Sequence, residues 1–141
     1  MSIKIVSSSE MQERLVTESL RDFNCKNFGL SHEESYIPLN YHLSDSEDEI
    51  IAGVNAILIA KSSVYVDILW VDEKHRGFDY GTLLLKHVET QAKNLGAMMI
   101  HLDTYDFQAK GFYLKCGYEE YALLEDSPST GHKRFYLKKE L

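Results

Sequence analysis

The residues best suited to bind a ligand form a glycine-bearing turn, His75-Arg76-Gly77-Phe78-Asp79-Tyr80-Gly81-Thr82. The uninterrupted β-branched and aromatic run Val64–Val71 precedes it and predicts a buried strand. Apolar residues then recur with helical spacing from Leu84 to Leu95, which predicts an amphipathic helix. Such a turn leaves free N–H groups at the positive end of the helix dipole, where phosphate or pyrophosphate can bind. An ordinary strand-to-helix turn would have the same pattern.

Composition narrows the class of protein. The chain has 141 residues, 44% of them hydrophobic, which suits one globular domain over 1–141. The net charge is −7 and no basic cluster precedes Lys138-Lys139, which argues against nucleic acid as a partner. The apolar runs are too short to cross a membrane, and the N-terminal residues lack the apolar core of a signal peptide. We therefore expect a cytoplasmic protein with no membrane partner.

The sequence contains no pattern typical of a metal site. Cys25 and Cys116 are far apart with no paired spacing, and the six histidines form no His-Glu-x-x-His pattern. We expect reduced thiols and no metal.

The order of predicted elements indicates an α/β fold, with a mixed, mostly antiparallel sheet, one parallel crossover and flanking helices. The predicted helices are Met11–Phe23, the stretch from the glycine turn to Leu95, and Gln108–Lys115, while Asn24–Leu30 is a short helix or a loop. The predicted strands are Ile3–Val6, Tyr36–Leu43 with Pro38 at an edge position, Ile50–Ala60, Val64–Val71, Ala97–Asp103, Tyr118–Leu124 and Lys133–Lys138.

Two motifs and this element order resemble the GNAT superfamily of acyl-CoA-dependent N-acetyltransferases. The segment from Arg76 to Gly81 is similar to the family's glycine turn. The segment from Phe112 to Tyr118 is similar to its aromatic-Tyr-x-Lys-x-Gly-aromatic pattern. Two positions depart from the family: Asp79 replaces the first loop glycine, and Asp106 stands where many members have Asn. Asp tolerates a left-handed backbone, but its carboxylate would repel a diphosphate unless it faced solvent or capped the helix.

The resemblance implies acetyl-CoA as the acyl donor, with its pyrophosphate on the backbone of the turn and its pantetheine along the end of the preceding strand. The cofactor-binding residues that it implies are Val71, Glu73, Arg76, Gly77, Phe78, Asp79, Tyr80, Gly81, Thr82 and Asp106.

The same resemblance implies Tyr113 as the general acid, because a phenol is protonated at neutral pH and can donate to the departing sulfur. Asp67 is the candidate base, because a lone carboxylate inside an apolar strand is costly to bury and would have a raised pKa there. Strand alternation predicts that Asp67 shares a face with Tyr65 and Leu69. A satisfied or half-exposed aspartate would fit the pattern equally well, and Glu73 is the next candidate.

The hypothesis that follows is an N-acetyltransferase that moves an acetyl group from acetyl-CoA to a primary amine of a small molecule. The alternative is a catalytically inactive acyl-CoA-binding module of the same fold, which Asp79 keeps open. The sequence does not identify the acceptor amine. Homodimers are common in the family, but no segment here requires one.

Overall fold

The computed structural model describes residues 2–141 and confirms the mixed α/β architecture. Its helices are α1 (Glu10–Phe28), α2 (His32–Ser35), α3 (Tyr80–Asn94) and α4 (Lys110–Lys115). Its strands are β1 (Tyr36–Pro38), β2 (Tyr41–Ser44), β3 (Ile50–Ile59), β4 (Ser63–Val71), β5 (Met99–Tyr105), β6 (Glu119–Glu125) and β7 (Lys133–Glu140).

Over the described residues these strands form one seven-stranded sheet in the order β1-β3-β4-β5-β7-β6, with β2 also paired to β3. Strands β4 and β5 run parallel, and the other pairs are antiparallel. Helix α3 connects the parallel pair, because two parallel neighbours need a crossover rather than a hairpin.

The hydrophobic core lies between one face of the sheet and helices α3 and α4. Strand β5 alternates between the faces: Ile100 and Leu102 are buried, whereas His101 and Asp103 are partly exposed. Helix α3 contributes Leu84, Leu85, Val88 and Ala92 to the core. We call this side the core face, and the side with Tyr65, His101 and Asp103 the open face.

The predicted N-terminal strand Ile3–Val6 is wrong. Residues 2–9 have no regular secondary structure, and Ile3 and Ile5 are exposed. A short alternating run becomes a strand only where it pairs with a neighbour, and on β3 the outer side is already occupied by β1 and β2. The first helix begins immediately afterwards, where Ser9 forms a capping box with Gln12.

Two other boundaries differ from the predictions. The single strand expected over Tyr36–Leu43 is split into β1 and β2, and the Oδ1 of Asn40 between them accepts a hydrogen bond from the backbone N–H of Ala56 at 3.0 Å. Pro38 ends β1 at the sheet edge, as predicted, since proline cannot donate to a ladder. Helix α1 continues through most of the ambiguous segment and stops at Gly29, which has φ 70°. Among residues 2–141, no helix has both the length and the apolar character needed to cross a bilayer.

Candidate functional site

A cleft opens where strands β4 and β5 separate. The two strands pair from Ser63 with Met99 to Val66 with Leu102, and no further. On its other side β4 remains paired with β3, but the register shifts so that Asp67 is an extra, unpaired residue between Val66 and Ile68. A bulge of this kind bends its strand, which accounts for the divergence of β4 from β5. The β4 backbone beyond the bulge is therefore unpaired on the side facing β5.

Because of the bulge, the predicted alternation of side chains along β4 is wrong beyond Asp67. Leu69 and Val71 pack against the core, on the same side as Val66, whereas Ile68 and Trp70 are exposed. Leu69 is therefore not on the face of Tyr65, because the extra residue reverses the alternation. Asp67 itself is exposed, so burial does not single it out as a base. It does line the cleft.

The cleft has a volume of about 670 Å³, which lies in the range of small-molecule and cofactor sites. One wall is the diverging part of β4, and another is the end of β5 with the start of α4. The glycine turn and the first residues of α3 close one end.

The turn before α3 exposes unpaired backbone donors. Gly77 has φ 87° and Asp79 has φ 61° and ψ 22°, so both are in the left-handed region. The backbone N–H of Leu83 donates to the Asp79 carbonyl at 2.9 Å, which begins the helical hydrogen-bond series. The preceding amides of the helix consequently have no acceptor within it. Tyr80, Gly81 and Thr82, which carry these donors, line the cleft at the positive end of the α3 dipole, an arrangement suited to an anion.

Asp79 keeps the shape of this loop although it is not glycine. It adopts the left-handed conformation that aspartate tolerates, and it occupies the N-cap position of α3. Its carboxylate makes no capping hydrogen bond, and the residue is exposed. The loop therefore retains its backbone donors but has a negative charge beside them.

Gly81 has a packing role as well. A Cβ at this position would lie 3.3 Å from Cζ of Phe112 and 3.8 Å from Cγ2 of Val71. The glycine thus lets α3 approach α4 closely. Substitutions at Gly81 would disturb this packing together with any ligand contact.

The structure places most of the predicted cofactor-binding residues in the cleft wall and leaves three outside it. Those in the wall are Val71, Arg76, Gly77, Asp79, Tyr80, Gly81 and Thr82. Glu73 lies in an exposed 3-10 turn, and Phe78 is exposed and stacks on Tyr80 with 5.8 Å between ring centroids. Oδ1 of Asp106 lies 3.1 Å from Nδ1 of His132, in the loop before β7.

Tyr113 lies in the cleft wall on α4, next to Phe112, which packs against Gly81. It is 7% exposed, lines the cleft, and makes edge contacts with Phe112 and Tyr118 at centroid distances of 5.1 and 5.8 Å. Burial, together with nearby Cys116 and Asp103, raises the pKa of Tyr113 to about 12. Its hydroxyl is therefore protonated at neutral pH.

A second carboxylate at the divergence of the strands was not among the predicted site residues. Asp103 follows the last β4–β5 pair and lines the cleft. Its Oδ2 accepts a hydrogen bond from the Tyr65 hydroxyl at 3.0 Å, and its Oδ1 accepts one from Nε of Arg134 at 3.0 Å. These residues are about 30 to 40 positions apart, on three strands, so only the register of the sheet brings them together. Alternation along β5 was the sole signal in the sequence, since it places Asp103 on the open face.

Within the described part of the chain, one cluster of side chains of metal-ligating types lies away from the cleft. Glu18, Asp22 and His32 have ligand atoms within 4.8 Å of one another on α1 and α2. Nε2 of His32 already lies 3.0 Å from Oε2 of Glu18, and the two acidic residues are exposed. None of the three lines the cleft. That the protein needs no metal stays a prediction.

Comparisons with known proteins agree with this geometry. Blasticidin-S acetyltransferase of Streptomyces morookaense is 39% identical over 79 residues, which are 55% of this chain and 57% of that protein. The match thus spans little more than half of this relative. The crystal structure of an acetyltransferase from Bacillus cereus ATCC 14579 superposes with a TM-score of 0.80 at 30% identity, covering 99% of this chain and 98% of that chain.

A crystal structure of aminoglycoside 6'-N-acetyltransferase complexed with coenzyme A has a TM-score of 0.66 at 16% identity, with 97% of each chain covered. At that identity the likeness concerns the fold alone. A family model described as the acetyltransferase (GNAT) family matches residues 6–118, most of the chain. With the strand divergence, the glycine turn and the element order already in place, the chain belongs to the GNAT acetyltransferase family.

Proposed function

We propose that this protein is an N-acetyltransferase that transfers the acetyl group of acetyl-CoA to a primary amine of a small molecule. The observation that carries the proposal is the composition of one cleft. It combines an anion cradle at the start of α3, unpaired strand backbone along β4, and a protonated phenol at Tyr113.

The cleft suits acetyl-CoA at both ends of that molecule. The free amides of Tyr80, Gly81 and Thr82 would hold the pyrophosphate, and the Thr82 hydroxyl is an additional donor. The unpaired backbone of β4 beyond Val66 would pair with the amide groups of pantetheine, much as a neighbouring strand would. When bound, acetyl-CoA supplies an acetyl group already activated as a thioester.

Asp67 is proposed as the base. An alkylammonium has a pKa of about 10, so roughly one amine in a thousand is neutral at pH 7. The carboxylate of Asp67 is exposed at the bulge, where it would accept the proton from the acceptor nitrogen, directly or through water. The nitrogen–carbon bond then forms as the carbon–sulfur bond breaks.

Tyr113 would act chiefly as a hydrogen-bond donor to the departing sulfur. Its pKa is about 12, whereas an ordinary thiol has a pKa of about 8.5, so complete transfer of the phenolic proton is unfavourable. A hydrogen bond to a charged acceptor contributes about 1.5–3 kcal/mol, enough to favour release of the thiolate.

For the acceptor we propose a small amine. The related blasticidin-S acetyltransferase and the structurally similar aminoglycoside acetyltransferase make blasticidin S and aminoglycosides the first compounds to test. Location in the cytoplasm, homodimerisation and the absence of nucleic acid as a partner stay predictions.

One observation favours the non-catalytic alternative. The Asp79 carboxylate is exposed beside the free amides and caps nothing. If its repulsion outweighed the attraction of the cradle, acyl-CoA would bind too weakly to support turnover.

The test is release of the CoA thiol, followed with a thiol reagent, with and without blasticidin S or an aminoglycoside. We expect release to depend on the amine and to fall by at least about 100-fold in Asp67→Asn. Asp48→Asn is the control, because Asp48 is an exposed aspartate with φ 63° in the β2–β3 turn. Tight binding of acetyl-CoA with no amine-dependent release for a broad amine panel would favour the non-catalytic module.

A further inference from the structure

The open face of the sheet holds one carboxylate in a fixed orientation at the mouth of the cleft. Oδ1 of Asp103 accepts from Nε of Arg134 at 3.0 Å and lies 2.9 Å from Nη2 of the same guanidinium. Its Oδ2 accepts from the Tyr65 hydroxyl at 3.0 Å. Three strands, β4, β5 and β7, therefore fix this single side chain.

The Asp103 network retains an unused acceptor position on Oδ2. A carboxylate oxygen accepts about two hydrogen bonds, and Oδ2 of Asp103 has one partner among the described side chains. The side chain is 18% exposed and lines the cleft close to Asp67, where β4 and β5 separate. An N–H donor of a ligand would supply the second hydrogen bond to Oδ2 of Asp103.

An aromatic surface borders the same mouth. Phe107 lines the cleft and is 60% exposed. Its ring is nevertheless held on two sides, by Tyr105 in a stacked contact at 5.4 Å and by His132 in an edge contact at 5.2 Å. A rigid, exposed ring offers a flat ligand contact area at little cost in side-chain entropy.

We infer that Asp103 binds the amino group of the acceptor, that Tyr65 and Arg134 are positioning residues for it, and that the acceptor carries a flat ring which packs on Phe107. The inference rests on the proposed acetyl transfer and assigns the acceptor side of the same cleft. Asp103 accepts an N–H of the still protonated amine and so places the nitrogen beside Asp67, which then takes its proton.

The experiment compares Tyr65→Phe with Tyr136→Phe in steady-state kinetics with tyramine as the acceptor. Tyr136 lies opposite Asp103 on β7, and its hydroxyl makes no side-chain hydrogen bond within the described residues. Tyr65→Phe is expected to raise the KM for tyramine about three- to tenfold, the size of one hydrogen bond, while leaving the Kd of acetyl-CoA unchanged. Tyr136→Phe is expected to match the wild type in both quantities.

A second comparison tests whether a flat ring of the acceptor packs on Phe107. Wild-type protein should acetylate tyramine with a kcat/KM at least about fivefold above that for 2-cyclohexylethylamine, and Phe107→Ala should remove this preference. Tyr65→Phe kinetics equal to wild type, or equal rates for the two amines, would overturn the inference. So would wild-type protein that acetylates blasticidin S or an aminoglycoside but neither of these amines, whereas acetyl-CoA binding with no amine acetylated would count against the proposed function. Failure to bind acetyl-CoA at all would instead defeat the proposed function.

Discussion

Two side-chain networks in this protein each combine a carboxylate, a phenol and a cationic side chain, but they differ in their access to solvent. In the first, Glu89 of α3 accepts from Nζ of Lys139 at 2.7 Å and from the Tyr118 hydroxyl at 2.9 Å. In the second, Asp103 accepts from Arg134 and Tyr65. Each is a carboxylate held by one cation and one phenol.

The Glu89 network is closed. Glu89 and Tyr118 are buried, and Lys139 also donates to the carbonyl of Cys116 at 2.9 Å, at the end of α4. The network thereby ties α3, α4 and β7 together beneath Tyr113. Burial, with the nearby Glu89 carboxylate, raises the pKa of Tyr118 far above its ordinary value. A buried carboxylate that does not line the cleft and is held by two buried or half-buried partners has a structural role.

The Asp103 network is open, since Asp103 lines the cleft and is partly exposed. Access to the cleft, rather than the type of group, thus separates the structural carboxylate Glu89 from Asp103, which we propose binds the acceptor.

The largest effect is expected from Glu89→Gln. Breaking a buried ion pair costs about 3–5 kcal/mol, and because the Lys139 side chain is 28% exposed we expect a loss of about 2–3 kcal/mol in the free energy of unfolding. Urea denaturation measures it. The control is Glu120→Gln, which removes an exposed pair with Lys110 and should cost less than about 1 kcal/mol. Equal losses in the two variants would contradict the structural role of Glu89.

Tyr113 lies between the two networks, and Tyr113→Phe should lower kcat by about 10- to 100-fold. The reason is loss of a hydrogen bond to the departing sulfur, with the phenyl ring still filling the wall. The Kd of acetyl-CoA should stay within about twofold, since the glycine turn proposed to bind the pyrophosphate is untouched. A loss of about 10⁴-fold would instead indicate complete proton transfer by a general acid.

The pH profile of the wild type gives a further check on Tyr113. Because its pKa is raised to about 12, the phenol remains protonated well above pH 10. An acceptor amine with a pKa of about 10 also stays largely protonated up to pH 9, and this is the form proposed to bind at Asp103 and lose its proton to Asp67. We therefore expect kcat/KM for the amine to change less than about twofold from pH 7 to 9, because neither the phenol nor the free amine changes its main protonation state there. A decline in wild type that is absent from Tyr113→Phe would show that Tyr113 ionises earlier than this.

A matched pair of Tyr→Phe substitutions separates the networks directly. Tyr118→Phe should lower the free energy of unfolding by about 1–2 kcal/mol, because Glu89 loses a buried donor, and should leave the KM for the amine unchanged. Tyr65→Phe should do the reverse, raising the KM for the amine with less than about 1 kcal/mol lost in stability. Thermal unfolding and steady-state kinetics of the two variants provide the comparison. If both variants changed stability and the KM for the amine to the same extent, the two networks would not have the different roles proposed for them.

Much of this arrangement was predictable from the sequence, and the exceptions have a common cause. The strand before the turn, the crossover through α3 and the segment with Tyr113 are local patterns of spacing, and the structure reproduces them. Asp79 was expected to tolerate a left-handed backbone and does so.

The features that could not be predicted depend on pairing between distant strands. Ile3–Val6 alternates like a strand but pairs with no other strand, and alternation alone does not provide a partner. The bulge that exposes Asp67 arises from the register of β3 against β4. The partners of Asp103 and Glu89 come from other elements far along the chain. Register and side-chain partners of this kind are not encoded by any local window.

The smallest change tests the central claim, that the glycine turn binds the pyrophosphate of acetyl-CoA. Titration calorimetry would compare wild type with Asp79→Asn, which retains a residue tolerant of φ 61° but removes the charge. Asp48→Asn is the matched control, since Asp48 is also left-handed and lies outside the cleft wall. We predict micromolar binding by the wild type, binding about two- to fivefold tighter in Asp79→Asn, and no change in Asp48→Asn. No binding by folded wild-type protein, or an Asp79→Asn affinity equal to that of the control, would contradict the account.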